Sequence, residues 1–367
     1  MEKLKIKDIT AHLESWAPLA YQEPYDNCGL LTGDHNWNVS GILVTLDCLE
    51  HVVDEAISLQ CNLIIAHHPI IFKGMKRLTG TNYVERTVIK AIKNDIAIYA
   101  IHTNLDNIHT GVNKIIAERI GLTGLEILQP KSNALLKLVT FIPKEDTDKV
   151  VDALHQAGAG HIGNYEYCSF QLEGQGSFKP TEKATPHKGK KGQLEIAEEN
   201  RVEVILPATA QASVLAALRA SHPYEEVAYY LSPLLNPHQE VGAGVIGDLQ
   251  EALEPSTFLV RLKAQMNADC IRHTALPSKW IKRVAVCGGS GSFLLSRARA
   301  AGADAYVSAD FKYHEFFDAQ GDILVADPGH YESEQFTKDL IKDVLERKFP
   351  NFAVYFSKSV TNPISYL

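Results

Sequence analysis

At 367 residues, 45% hydrophobic and 22% charged, the chain has an ordinary soluble composition and is long enough for two or three domains. Its 36 Lys and Arg against 44 Asp and Glu leave −8, which argues against an overall basic field for nucleic acid or an anionic membrane. No apolar run approaches membrane-spanning length, MEKLKIKDIT lacks an apolar signal core, and the six cysteines show no CxxC spacing; a cytoplasmic protein without a disulfide framework or zinc–thiolate site is expected.

Ile9, Leu13 and Trp16 fall at helical spacing and predict a short helix over residues 7–16. AYQEPYDNCGLLTGD is loop-like, with turn chemistry at Asp26-Asn27 and Gly33-Asp34. A strand over 39–46 and a helix over 50–59 lead into NLIIAHHPIIFK, residues 62–73. Its apolar run 63–66 has the length and β-branched content of a buried strand, ends in His67 and His68, and is followed by Pro69, which has no ladder donor. Binding crevices of α/β proteins lie at the carboxyl ends of strands. The pair is therefore read as metal ligands, and an isolated His-His would be as well explained by ordinary hydrogen bonding at a strand end.

A helix over 83–93 and a strand over 96–101 continue the alternation, which implies a parallel sheet covered on both faces. That strand ends in HTNLDN. Asp106 is the natural carboxylate partner for the histidines, with His102 beside it. Taken alone, HTNLD would be read as a cap for a helix starting near Val112; its coincidence with HHP reverses the preference.

Between residues 132 and 233 the pattern changes to β-α-β-β-α-β: strands in LLKLVTFIP, HIGNYEYCSFQL, NRVEVILP and EEVAYYL, with helices over 146–157 and 211–221. That order is ferredoxin-like. The tract 179–191, with Lys183, Lys188, Lys190 and Lys191, is read as an exposed loop in preference to an anion contact. From Gly242 the α/β character returns. A strand over 283–287, a tight loop Gly288-Gly289-Ser290-Gly291-Ser292 and a helix over 293–301 could cradle an anion. They match neither GxxxxGK[ST] nor GxGxxG, and a plain strand-to-helix turn is preferred. A strand over 305–309 precedes DFKYH, which holds His314. A strand over 323–326 precedes DPGHYESE and a helix to residue 348. AISLQCNLIIAHHPIIF faintly echoes ARAAGADAYVSADFKYHEF, which would fit a duplicated core.

His330 and Glu334, four residues apart, lie on one helical face. Three apolar strands thus bring His67 and His68, Asp106, and His330 with Glu334 to one sheet edge. Five nitrogen and oxygen ligands exceed the need of one tetrahedral zinc and suit two divalent ions, with Glu334 as the bridge. The absence of thiolates leaves Zn, Mn, Fe, Co and Mg open. His102 and Asp327 are candidates to orient ligands or shuttle protons.

AYQEPYDNCGLLTG, AHHPIIF, HTNLDN and DPGHYESE together resemble the signatures of the GTP cyclohydrolase I type two homologues, the NIF-three-like dinuclear metal proteins, from end to end of the chain. The resemblance implies two related three-layer α/β halves, residues 1–131 and 234–367, forming one discontinuous domain with metals between them. It also implies an inserted PII/CutA-like ferredoxin-fold α+β domain over 132–233. By that likeness His67 and His330 would hold one ion, His68 and Asp106 the other, and Glu334 both, in a ring-shaped homohexamer.

The leading expectation is a metal-dependent hydrolase acting on a small molecule. If the family name holds for this chain, the substrate is a nucleotide, GTP, whose purine ring is opened with release of formate, with His102 as proton shuttle and Glu334 as a catalytic residue. The alternatives are a metal-dependent phosphoesterase and a ligand-sensing ring protein without turnover, which has only fold analogy behind it. The acidic balance leaves a nucleic-acid partner little support.

Overall fold

The computed structural model describes residues 4–367, which separate into two compact units. One joins the chain up to Pro130 with Glu240–Leu367; the other is Lys131–Gln239. Both joins fall inside strands, Leu122–Lys131 and His238–Leu253, where composition does not change; the sequence had suggested 131/132 and 233/234.

The larger unit contains two sheets with the same connectivity. In the first, Ile42–Thr45, Leu63–Ala66 and Ala97–Ala100 are parallel neighbours in that order, joined through helices Glu50–Ser58 and Tyr83–Lys93. Gly29–Thr32 closes one edge antiparallel, and Val354–Phe356 pairs parallel at the other. In the second, Ile281–Ser290, Ala305–Ala309 and Leu324–Asp327 are parallel neighbours, with Leu295–Ala300 and the 3-10 turn Tyr313–Ala319 between them. Arg272–His273 lies antiparallel at one edge; on the other side His238–Leu253 pairs antiparallel with Ile281–Ser290, and Leu122–Lys131 beyond it forms the edge. The echo noted between residues 56–72 and 298–316 therefore coincides with equivalent middle strands.

Side-chain alternation explains the layering. Ile42, Val44, Leu63, Ile65, Ala97 and Tyr99 of the first sheet share one core with Val284, Val286, Ala305, Val307, Leu324 and Ala326 of the second. Helices Ile6–Trp16, Val112–Ile120, Pro255–Gln265 and Thr337–Lys348 contribute their apolar faces to that same core. The intervening residues Leu43, Ile64 and Ile98 pack under the helices that join the first sheet, and Ala285, Tyr306 and Val325 under Leu295–Ala300. A strand covered on both faces is apolar throughout, as LIIA is. Each fully buried aliphatic side chain contributes about 1.5–3 kcal/mol.

The smaller unit is an antiparallel sheet in the order Ser169–Phe178, Glu195–Pro207, Leu135–Pro143, Tyr229–Pro233. Helices Thr147–Gln156 and Gln211–Ser221 bury Val150, Leu154, Val214 and Leu218 against Leu138, Ile142, Val202 and Val204. This is the expected βαββαβ fold, although residues 161–168 form turns and the second strand begins only at Ser169.

Two local expectations change. The strand expected to end at Cys287 continues to Ser290, so Gly288 and Gly289 are strand residues and not a loop. The single C-terminal helix is two, His330–Glu334 and Thr337–Lys348. HTNLD, for which capping had been set aside, caps no later helix: Thr103–Asp106 is a helical turn of its own, and Val112–Ile120 starts from Gly111.

Candidate metal centre

The carboxyl ends of both sheets of the larger unit deliver the candidate ligands. The sequence had placed them along one sheet edge; His67, His68 and Asp106 follow strands of the first sheet, and His330 and Glu334 follow a strand of the second. At the end of Leu63–Ala66, the backbone N–H groups of His67 and His68 donate to Thr45 and Leu46, after which Pro69 has none to give. His67 Nδ1 lies 2.8 Å from the carbonyl oxygen of Ile101. A carbonyl only accepts, so Nδ1 carries the proton and Nε2 presents a lone pair.

That lone pair is buried without a hydrogen-bond partner, and so is Asp106 Oδ1, 3.6 Å away. Glu334 Oε1 lies 3.9 Å from the same nitrogen, on a carboxylate only 3% exposed. Three acceptors converge on a space where no donor stands, which is costly unless a cation fills it. On the other side of Glu334, its Oε2 lies 2.9 Å from His68 Nε2 and 3.0 Å from His330 Nε2, and those two nitrogens are 3.4 Å apart. His67, Asp106 and Glu334 thus form one group able to hold a metal ion, and His68, His330 and Glu334 another.

The residues fit divalent ions in their donor chemistry too: imidazole and carboxylate without thiolate. Each candidate histidine is oriented through its other nitrogen, as metal-bound histidines commonly are. Asp47 Oδ1 lies 2.8 Å from His68 Nδ1, and Asp310 Oδ2 2.7 Å from His330 Nδ1.

Without a cation the negative charge is balanced by protons. Burial alone would lower the His68 pKa, but Asp47 and Glu334 outweigh it and raise the group to about 9. His330 rises to about 11 for the same reason, through Glu334 and Asp310. Burial would raise Glu334, yet His330, with His68 beside it, holds it well below the usual carboxylate range. Asp106 has no such partner, and burial pushes it up to about 7 against the pull of His102.

A model of the family Duf34/NIF3 (NGG1p interacting factor 3) matches residues 4–363. The chain belongs to the Duf34/NIF3 family. It is 39% identical to the GTP cyclohydrolase 1 type 2 homolog of Bacillus subtilis, over 98% of each chain, and 41% identical to that of Halalkalibacterium halodurans, over 96% of each. Among solved structures it is similar to a Bacillus cereus protein related to NIF3, with a TM-score of 0.87, 38% identity and full coverage of both chains.

Within this Duf34/NIF3 chain the pairing of donors departs from the one expected. His67 stands with Asp106 and His68 with His330, in place of His67 with His330 and His68 with Asp106. The cause is strand order. Leu63–Ala66 lies between Ala97–Ala100, which leads to Asp106, and Ile42–Thr45, which leads to Asp47. Past the end of that strand, His67 reaches the Ile101 carbonyl, after the first neighbour, and His68 reaches Asp47, after the second.

His102 lies beside the cluster, its ring centroid 5.2 Å from those of both His67 and His68. His102 Nδ1 is 2.9 Å from Asp26 Oδ1. Asp26 also accepts from the Thr103 N–H and hydroxyl and from Cys28 Sγ, so its carboxyl stays below the usual range despite burial. Asp327 does not reach the donors: it accepts from the N–H groups of Phe311 and Gly329 and pairs with Arg272. The part expected of it is taken by Asp310. His314 is exposed and lies edge-on to Tyr313 and tilted against Phe317.

Asp47 and Asp310 are not singled out from the sequence, and Gly288 and Gly289 are noted there without their part beside Glu334. The first two follow strands that end beside the histidine strands or match them in the second half, which is the signal that would have exposed them. The glycine run is no anion cradle: Gly288 N–H donates to Asn113 Oδ1 and Gly289 N–H to Ser333 Oγ. It makes room instead. A Cβ on Gly289, at φ +58°, would lie 2.3 Å from Glu334 Oε1 and 3.2 Å from His330 Cε1.

Proposed function

We propose that this protein is a dinuclear metal-dependent hydrolase, with His67 and Asp106 holding one divalent ion, His68 and His330 a second, and Glu334 shared between them. The observation that carries the reading is the Glu334 carboxylate, buried between two histidine groups, with unpartnered His67 Nε2 and Asp106 Oδ1 on one side of it. Bound divalent ions would supply Lewis acidity toward an electrophilic carbon or phosphorus.

The chain's own part is orientation and proton transfer. Asp47 and Asp310 fix the rings of His68 and His330. Asp26 holds His102 by Nδ1, which leaves the other ring nitrogen to exchange a proton with a reacting group. The relatives' name, GTP cyclohydrolase 1 type 2 homolog, makes GTP the first substrate to try, with C8 of the purine leaving as formate.

The test is formate release from GTP by protein reconstituted with Zn, Mn or Fe, beside Glu334→Gln. A loss of at least about 10²-fold in the variant is expected, the scale on which a lost electrostatic or acid–base group acts. Equal rates with every metal would remove GTP as substrate and direct the search to phosphoesters. A sensing role is favoured by a separate observation: the smaller unit carries its own open cavity of about 760 Å³, lined by Phe178, His187, Tyr224 and Tyr230. That role requires saturable ligand binding that survives Glu334→Gln.

A further inference from the structure

A cavity of about 590 Å³ opens beside the candidate centre, with Asp47 and His68 at one end and Phe72, Lys73, Lys76 and Arg77 along its wall. A volume of this size accommodates a nucleotide-sized compound. Its metal-facing end is acidic and its wall is basic. Among the described residues, Lys73, Lys76 and Arg77 take part in no ion pair and no side-chain hydrogen bond, although the chain is acidic overall.

The carboxylates that could neutralise them are occupied. Glu85, which also lines the cavity, accepts from the Thr79 N–H and hydroxyl, the Thr81 N–H and Asn82 Nδ2. Glu50 pairs with Arg86 at 2.8 Å, and Asp47 holds His68 and the Thr361 hydroxyl. The segment that carries the three cations is tethered at both ends, by Asn27 Nδ2 donating to the Ile71 carbonyl at 2.6 Å and by the Glu85 network. Three unpaired cations held around one cavity repel each other unless an anion joins them.

Phe72 adds an apolar surface. It is 44% exposed, its ring centroid lies 6.5 Å from that of His102 and 6.2 Å from that of Tyr25, and Tyr25 is itself 63% exposed. Aromatic faces next to unpaired cations match a ligand with a planar ring and phosphate groups.

We propose that Lys73, Lys76 and Arg77 form a phosphate-binding subsite of the candidate centre, and that its substrates are nucleotide-sized compounds bearing more than one phosphate. The proposal rests on the hydrolase reading for the word substrate, but the subsite stands on the cavity and its charges.

The test is calorimetric binding of GTP, guanosine and inorganic tripolyphosphate to the full chain loaded with zinc, wild type beside K73Q/K76Q/R77Q. GTP and tripolyphosphate are expected to bind the wild type, with guanosine at least about tenfold weaker, and the triple variant to lose at least about tenfold in GTP affinity. Zinc content and melting temperature should stay as in wild type, because the three side chains are exposed; if the triple variant melts early, K76Q and R77Q singly should each lose severalfold.

GTP bound equally by variant and wild type overturns the subsite. So does failure of both GTP and tripolyphosphate to bind wild type at millimolar concentration. The two readings separate cleanly: phosphate-dependent binding that the variant loses, with no turnover of any phosphorylated compound, leaves the subsite and removes the hydrolase. Turnover with the same KM for phosphorylated and dephosphorylated substrate does the reverse.

Discussion

Among single residues, the gap between His67 Nε2 and Asp106 Oδ1 makes the strongest demand on the surroundings, since two buried acceptors face each other at 3.6 Å with no donor between. Asp106→Ala removes one of them. We expect metal content, measured by plasma mass spectrometry on reconstituted protein, to fall by about one equivalent of two, because loss of a ligand or its support typically weakens binding about 10- to 100-fold. Unchanged content would take Asp106 out of the ligand set. Gly289 answers a steric demand beside it. Gly289→Ala brings a methyl group onto Glu334 Oε1 at a φ of +58° that L residues rarely adopt. The expected outcome is a loss of about 1–3 kcal/mol in chemical denaturation together with reduced metal content; a fully loaded, equally stable variant would show that Glu334 can move aside. His67, His68, Asp106, His330 and Glu334 were legible in the sequence because His and carboxylate groups at ends of apolar strands are chemically conspicuous. Asp47 and Asp310 were not, since a lone Asp after a strand has many ordinary uses.

Among elements, the strands were legible because a strand covered on both faces is apolar throughout, as LIIA is, and the helices because apolar residues recur at helical spacing, as Ile9 and Leu13 do. Boundaries were less so. The glycines of Ile281–Ser290 suggested a turn, yet their missing side chains serve the close approach of Glu334 and leave the strand intact. The C-terminal segment is tied back in part by Glu55 on helix Glu50–Ser58, which accepts from the Lys358 N–H, the Ser357 hydroxyl and the Ser359 hydroxyl. Burial would raise its pKa, but these bonds outweigh it and lower it. A depressed carboxyl stabilises the fold above its unfolded pKa and loses that contribution as pH falls through the folded value. Glu55→Gln should therefore cost about 1 kcal/mol at neutral pH, after allowance for solvent screening, and progressively less below about pH 4. Urea denaturation at pH 7 and pH 3 checks this, and an equal difference at both would rule out the ionised form as the anchor.

For the whole molecule, the family resemblance adds a proposal that a single chain does not test: a homohexameric ring. Light scattering at micromolar concentration should give a mass near six times 40.5 kDa, and a monomer mass would contradict it. Residue types and spacings were enough to establish the α/β class, the ferredoxin-like insertion and the five metal-ligand candidates, because periodicity and side-chain chemistry are local properties of the chain. Which histidine stands with which carboxylate was decided only by the tertiary structure. That choice depends on strand order and on two sheets meeting at their carboxyl ends, with Glu334 arriving 266 residues after His68 to lie 2.9 Å from it. No local pattern encodes a distance across such a separation; packing of the shared core does.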